Sequence, residues 1–303
     1  MSISAEQLAR AAQLIRDGEL VAFPTETVYG LGANALDAAA VRKIFAAKGR
    51  PSTSPLIVHV DSVDMARSLV ADWPDRAAAL ADLHWPGPLT MVLPKRSIVP
   101  DEVTAGLPSV GIRMPAHPVA LALIRESGLP IAAPSANRFT QLSPTTADHV
   151  RAAFGDSVYL LDGGPTRVGI ESTVISLVGD EPALLRPGMI AFEDIRRATE
   201  TAADGAAHPS PGMHERHYSP RARLVLVDGC ELPAGRVAYL WRDRSVDAAK
   251  SVRMPASPED YAAALYRTLH DLDKEGWDVI AVERPPSGAA WAGILDRLER
   301  ASK

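Results

Sequence analysis

Short apolar runs that halt at a proline or glycine recur through this chain, and they constrain its fold more than any other feature. ELVAFPT (19 to 25), PLIVHV (55 to 60), LTMVLP (89 to 94), VGIRMP (110 to 115), PIAAPS (130 to 135), VYLLDGG (158 to 164), STVISLV (172 to 178) and PALLRPG (182 to 188) each have the length of one buried strand. Helical stretches fall between them. One opens at Ser4, with Gln7 three residues on and Gly18 as its stop, and others are expected near 37 to 47, 62 to 83, 116 to 128, 145 to 154 and 191 to 200. The alternation predicts a mixed α/β sheet with helices packed on it. Proline cannot donate to a strand ladder, so prolines at so many strand ends argue against a simple, regular doubly wound sheet.

A second unit follows a break. TAADGAAHPSPGMHERHYSP (201 to 220) has no sustained apolar period and is the best domain boundary. Beyond it, RLVLVDG (223 to 229), VAYLW (237 to 241) and WDVIAVE (277 to 283) read as three strands, with helices near 257 to 274 and 289 to 300. That suffices for a small three-layer α/β unit. The expected organisation is a large domain over 1–200, a linker over 201–222 and a small domain over 223–303.

Composition narrows the function classes. A net charge of −5 over 303 residues argues against a dedicated nucleic-acid binder, though it leaves room for a local basic pocket. The opening MSISAEQLARAAQLIRDG holds no apolar block of signal-peptide length, and no run approaches the roughly 20 apolar residues of a membrane span, so a cytoplasmic, membrane-free protein is expected. The single cysteine, Cys230, can form neither an internal disulfide nor a cysteine-based zinc site. There is no GxxxxGK[ST], GxGxxG after a strand, GxSxG or HExxH.

Polar residues that could carry chemistry gather at strand ends, where open α/β sheets place ligands. Thr25, Glu26 and Thr27 follow the first run. Lys48, Arg50 and Ser54 share the proline-rich loop AKGRPSTSP, which suits an anionic group or is simply a solvated surface loop. Arg113 stands inside an apolar strand and needs an anionic partner, either a structural carboxylate or a ligand. Ser135 and Asn137 in APSAN, and Ser172 and Thr173 in GIESTV, could serve a site or close turns. Arg186 repeats the pattern of an arginine at a strand end, and His214 and His217 could share a metal only with ligands from elsewhere.

Together, FPTETVYGLGANA, KGRPSTSPLIVHV, HWPGPLTMVL, VGIRMPAHPVALALI, PIAAPSAN, GIESTVISL and LLRPG, in this order, resemble the YrdC/Sua5 family of threonylcarbamoyl-AMP synthases. PGMHERHYSP and the trailing small domain resemble its long, two-domain branch. The resemblance implies a YrdC-like twisted mixed sheet with flanking helices and a concave basic pocket, plus a small Rossmann-like α/β domain. It implies a nucleotidyltransferase that makes threonylcarbamoyl-AMP and pyrophosphate from L-threonine, bicarbonate and ATP with Mg2+. A separate transferase complex would then use the product to build N6-threonylcarbamoyladenosine at position 37 of tRNA, so tRNA is met only indirectly. The alternative is an RNA-binding module of the same fold without synthase activity.

By the same resemblance, Lys48, Arg50, Ser135 and Asn137 match the KxR and SxN signature and are the expected catalytic tetrad. Thr27, His59, Arg113 and Thr173 match threonine-binding positions. Arg50, Ser54, Ser135, Ser143, Ser172, Arg186 and Tyr218 match ATP-binding positions, with Tyr218 reaching back from the linker over the pocket, and no residue is assigned to a metal. RPSTSPL stands where the family commonly has RPxxNPL, so Ser54 replaces an asparagine.

Overall fold

A computed structural model describes residues 3–199 and 217–303. The first unit opens with α1 (Ala5–Arg16), β1 (Val21–Pro24), β2 (Tyr29–Asn34), α2 (Ala38–Lys48), β3 (Ile57–His59), α3 (Val63–Leu69) and α4 (Asp75–His84). It continues through β4 (Leu89–Pro94), α5 (Asp101–Thr104), β5 (Ser109–Arg113), α6 (Pro118–Ser127) and β6 (Ile131–Ala132). It closes with α7 (Ala147–Phe154), β7 (Tyr159–Leu160), β8 (Thr173–Ser176), β9 (Ala183–Arg186) and α8 (Phe192–Thr199). These strands form one nine-stranded sheet in the order β7-β1-β2-β6-β3-β5-β4-β8-β9, in which parallel and antiparallel pairs alternate irregularly. The expected mixed sheet is what the chain builds.

Local chemistry explains the elements. Ser4 and Gln7 form the reciprocal capping box that starts α1. Gly49, left-handed at φ 63°, stops α2 and turns the chain just past Lys48. The stretch 62 to 83 is two helices rather than one, because Ser62 caps α3 and Pro74 heads α4, leaving 70–74 to turn between them. The PIAAPS and VYLLDGG runs shrink to two-residue strands, flanked by prolines or glycines that do not extend a ladder.

Two strands escape the apolar-run pattern. In β2, YGLGAN, a side chain on Gly32 would lie 2.6 Å from the Phe23 ring and 2.7 Å from Ile131, so packing demands the glycine that disguises the strand. The other is KSVR in the small domain, whose strands are β10 (Arg223–Val227), β11 (Val237–Trp241), β12 (Lys250–Arg253) and β13 (Val279–Glu283). They form a wholly parallel sheet in the order β10-β13-β11-β12, with α9 (Pro258–Lys274) and α10 (Ala292–Ala301), the latter entered through a short 3-10 turn at Ala289–Trp291.

The three-layer expectation for this domain is corrected. Leu224, Leu240, Ile280 and Val282 on one sheet face pack with Leu265, Leu269, Ile294 and Leu298, so both helices lie on that face. The opposite face, carrying Tyr239 and Val279, packs with Leu232, Val246 and Ala248 of the β10–β11 and β11–β12 connections. The helical layer is shared, since Val28, Leu142 and Ile170 of the large unit join the same buried cluster. His149 of α7 and His270 of α9 stack across the join with ring centroids 3.8 Å apart, and His270 Nε2 lies 3.1 Å from the Ser143 carbonyl oxygen.

α10 meets the large unit backbone to backbone. A side chain on Gly293 would lie 2.7 Å from the carbonyl oxygen of Gly188. The Gly293→Ala variant is therefore expected to lose roughly 1–3 kcal/mol of stability, the usual cost of overpacking, in urea denaturation. A loss below about 0.5 kcal/mol, the level of an ordinary surface substitution, would contradict so close an approach.

Candidate active site

Five strand termini converge on one cleft of about 570 Å3, its open mouth included. β1 delivers Thr25 and Thr27, β3 and β5 end at His59 and Arg113, β6 leads to Ser135, and β9 ends at Arg186. Arg50, Glu171, Ser172, His217 and Tyr218 complete its polar wall. His59 and Arg113 are partners in the parallel β3–β5 register, so their side chains stand side by side on one face of the sheet.

Arg113 already has its carboxylate. It is paired with Glu26 at 2.5 Å, both side chains being buried. Its Nε donates to the Gly87 carbonyl at 3.1 Å and its Nη1 to the Thr27 hydroxyl at 2.9 Å. The Ala116 amide donates to the other Glu26 oxygen at 3.0 Å. Thr25 builds the turn that aims Glu26: its hydroxyl donates to the Val28 carbonyl at 2.7 Å and accepts from the Thr27 and Val28 amides. Glu26 was absent from the expected site, although the need of a buried arginine for an acid and the TET cluster one strand away were both visible.

The KxR and SxN residues meet, but not all at the wall. Lys48 Nζ donates to the carbonyls of Ser135 and Asn137, and the Ser135 hydroxyl donates to Asn137 Oδ1. Asn137 Nδ2 donates to the Arg138 and Gln141 carbonyls, each at 2.8 Å, which fixes the loop. Lys48 and Asn137 thus stand behind Ser135 and Arg50 rather than on the cleft surface. Burial, then Arg50 and Arg138, push the Lys48 ammonium well below its ordinary value. Burial likewise lowers Arg50 to about 10, and among the described residues no carboxylate forms an ion pair with either cation. Arg50 Nη2 donates to the Pro55 carbonyl at 3.2 Å, while its buried Nε has no hydrogen-bond partner.

Three other expected residues lie off the wall. Thr173 is fully buried, and its hydroxyl donates to the Ile190 carbonyl at 3.0 Å while accepting from the Ile190 amide, a brace between β8 and the turn after β9. Ser143 is also fully buried and donates its hydroxyl to Glu171. Ser54 is buried next to Pro55 without reaching the cleft. Ser172 does reach it: Arg186 donates from Nε to the Ser172 carbonyl and from Nη2 to its hydroxyl, both at 3.1 Å.

Of the linker, His214 and everything up to residue 216 lie outside the described residues. From His217 the chain runs beside the large unit, with the Ser219 amide donating to the Thr140 carbonyl at 3.0 Å. Tyr218, left-handed at φ 63° and 2% exposed, stands in the cleft wall. No group of three acidic, histidine or cysteine side chains among the described residues is placed to hold a metal, and no described helix is long and apolar enough to cross a membrane.

His59 is neutral at physiological pH, since burial and then Arg113 lower it from 6.5 to about 3. Its stabilising contribution is complete above pH 6.5 and is lost as the pH falls towards 3. Between pH 7 and 5 that loss is about 2 kcal/mol, at roughly 1.4 kcal/mol per unit. Urea unfolding at both pH values should show a drop larger by this amount in the wild type than in His59→Asn, and equal drops would contradict the neutral, buried imidazole.

A mixed sheet carrying a basic cleft at its strand ends, with a small parallel domain packed beside it, defines the class. The Sua5/YciO/YrdC family model, described as telomere recombination, matches residues 13–188, and the model of the threonylcarbamoyl-AMP synthase C-terminal domain matches residues 190–303. The chain is 44% identical to the threonylcarbamoyl-AMP synthase of Bacillus subtilis, covering 100% of this chain and 94% of that one. It is 43% identical to that of Pyrococcus abyssi, covering 96% and 93%. The crystal structure of P. abyssi Sua5 complexed with L-threonine superposes with a TM-score of 0.92 at 40% identity, over 100% of this chain and 96% of that one. This chain belongs to the two-domain Sua5 family of threonylcarbamoyl-AMP synthases.

Proposed function

We propose that the chain is an L-threonylcarbamoyladenylate synthase, a nucleotidyltransferase joining L-threonine, bicarbonate and ATP into threonylcarbamoyl-AMP with release of pyrophosphate. The observation that carries this reading is the pair of buried cations, Lys48 and Arg50, without an ion-pairing carboxylate among the described residues. A desolvated cation is costly until an anion arrives, and a triphosphate offers several. Relatives named threonylcarbamoyl-AMP synthase, matched over more than nine-tenths of their length, support the same reading.

The cleft divides by charge. Around Arg50, Arg186 and Ser172 the wall offers cationic and hydroxyl groups to the phosphates. Around Thr27, His59 and Arg113 it is nearer neutral, because Glu26 cancels Arg113. There L-threonine would lie with its carboxylate sharing the Arg113 guanidinium, which keeps N–H groups beyond those used by Gly87 and Thr27. The neutral imidazole of His59 leaves the amine free of a competing positive charge. Once deprotonated, that amine adds to the carbon of bicarbonate, water departs, and a carbamate forms. A carbamate oxygen then attacks the α-phosphorus as the bond to the bridging oxygen of the β-phosphate breaks, and the electron pair leaves with pyrophosphate.

Such a step requires positioning and charge cancellation, with no side-chain nucleophile. Magnesium would enter with ATP as its counter-ion and offset phosphate charge beside Arg50 and Arg186. The product is a mixed anhydride suited to acyl transfer, and a cytoplasmic transferase complex would consume it to modify adenosine 37 of tRNA.

With magnesium, ATP, bicarbonate and L-threonine, the purified protein should release pyrophosphate, and omitting threonine should remove most of it. Equal release without threonine, or none at all, would end the synthase reading. Lys48→Ala should lower kcat by about 10²–10³, the scale of losing one preorganised charge, because the ammonium fixes the Ser135–Asn137 loop and sets a positive charge behind the cleft wall. Arg113→Ala should instead raise the KM for threonine, and the reverse pattern would undo both assignments.

A further inference from the structure

We propose that Arg297 of the small domain is a positioning residue for the ATP subsite, holding the carboxylate of Glu171 back from the phosphates. The inference rests on the reading that the cleft takes ATP. It assigns the small domain a part in the site that its position on a separate sheet does not suggest.

Glu171 is an anomaly in a cleft built for a polyanion. It lines the same wall as Arg50, Ser172 and Arg186 and is buried. Burial alone would raise its carboxyl, but Arg297 first and Arg186 second outweigh it and bring it to about 2, so it is ionised. An ionised carboxylate facing a triphosphate repels it, and the low polarity of a buried wall leaves that repulsion poorly screened.

The structure shows what restrains the charge. Arg297 Nε donates to Glu171 Oε2 at 2.7 Å, and Arg297 Nη2 donates to the Glu171 carbonyl at 3.3 Å, so side chain and backbone are gripped together. Tyr266 of α9 donates its hydroxyl to Glu171 Oε2 at 3.2 Å, and Ser143 donates to Oε1. Arg297 is itself fixed by Asp296 at 2.6 Å and by the Pro187 carbonyl at 3.0 Å, and its guanidinium lies 5.2 Å from the Tyr218 ring centroid. Its side chain is fully enclosed. Gly293, one helical turn earlier, is what lets α10 come close enough to Gly188 for this reach. Without Arg297, the cation left beside Glu171 is Arg186, whose guanidinium belongs to the phosphate wall. Glu171 would then draw on Arg186 and oppose the triphosphate at once.

The test uses the full-length chain, with MgATP binding measured by calorimetry and KM values measured for ATP and threonine separately. Arg297→Met keeps the stem length and should weaken ATP about tenfold, as expected for exposing one uncompensated charge, while threonine KM stays within about twofold. Glu171→Gln combined with Arg297→Met removes the carboxylate as well and should bring ATP affinity back to within about threefold of wild type. A merely structural arginine would lower the melting temperature and leave both KM values in place.

Wild-type ATP affinity in folded Arg297→Met, or a double variant as weak as the single one, would overturn the proposal. If Arg297→Met does not fold, the double variant decides, since it buries no unpaired charge: ATP binding tenfold below wild type there also overturns it. A wild type that binds ATP without releasing pyrophosphate would defeat the synthase reading while leaving this comparison intact. A wild type that binds no ATP would overturn both.

Discussion

The site depends on two cations held out of water. Lys48 and Arg50 are buried at the end of α2, and the groups nearest to them are carbonyl oxygens and other cations rather than carboxylates. Arg113 and Arg297 are the contrast, since each is buried against its own glutamate. A buried pair of opposite charges is close to self-sufficient, whereas buried like charges are a standing cost that an anionic substrate relieves. The molecule therefore separates neutral from electropositive ground within one cleft, which is what two substrates of very different charge need.

Rigidity underlies that separation. The loop after β6 is fixed by Asn137 and Lys48, the turn after β1 by Thr25, and the turn after β9 by Thr173 of β8 bonded to the Ile190 backbone. None of these groups has to line the cleft to matter, because each sets the position of a neighbour that does. The small domain extends the same logic from outside. Its helices share a core with Val28, Leu142 and Ile170, and through Arg297 and Tyr266 its packing reaches a carboxylate in the cleft wall.

Much of this was legible in the sequence, and the limits have physical reasons. LTMVLP and VAYLW are strands at their expected bounds because an apolar run with branched side chains has few other uses in a buried sheet. YGLGAN and KSVR were missed because one strand owes its place to a tight approach around glycine and the other lies at the sheet edge, half exposed. The cleft residues Thr27, Arg50, His59, Arg113, Ser135, Ser172, Arg186 and Tyr218 could be nominated because they match the family's motifs, and most of them stand at strand ends. Motif membership does not distinguish a wall from the support behind it, and Lys48, Asn137, Thr173, Ser143 and Ser54 stand in that support. Glu171 lies within GIESTV without a role implied by the resemblance, and Arg297 reads in the sequence as one more charge on a helix, because its significance comes only from a contact 126 residues away.

The central claim is that the buried ammonium of Lys48 waits for an anion, and proton uptake measures it directly. Binding of a non-hydrolysable ATP analogue with magnesium is followed calorimetrically over a series of pH values in buffers of different ionisation enthalpy. Desolvation lowers Lys48 in the free protein and the phosphates restore its proton, so the account predicts net proton uptake on binding that disappears in Lys48→Met. Binding with no uptake in the wild type, or with equal uptake in the variant, would contradict it.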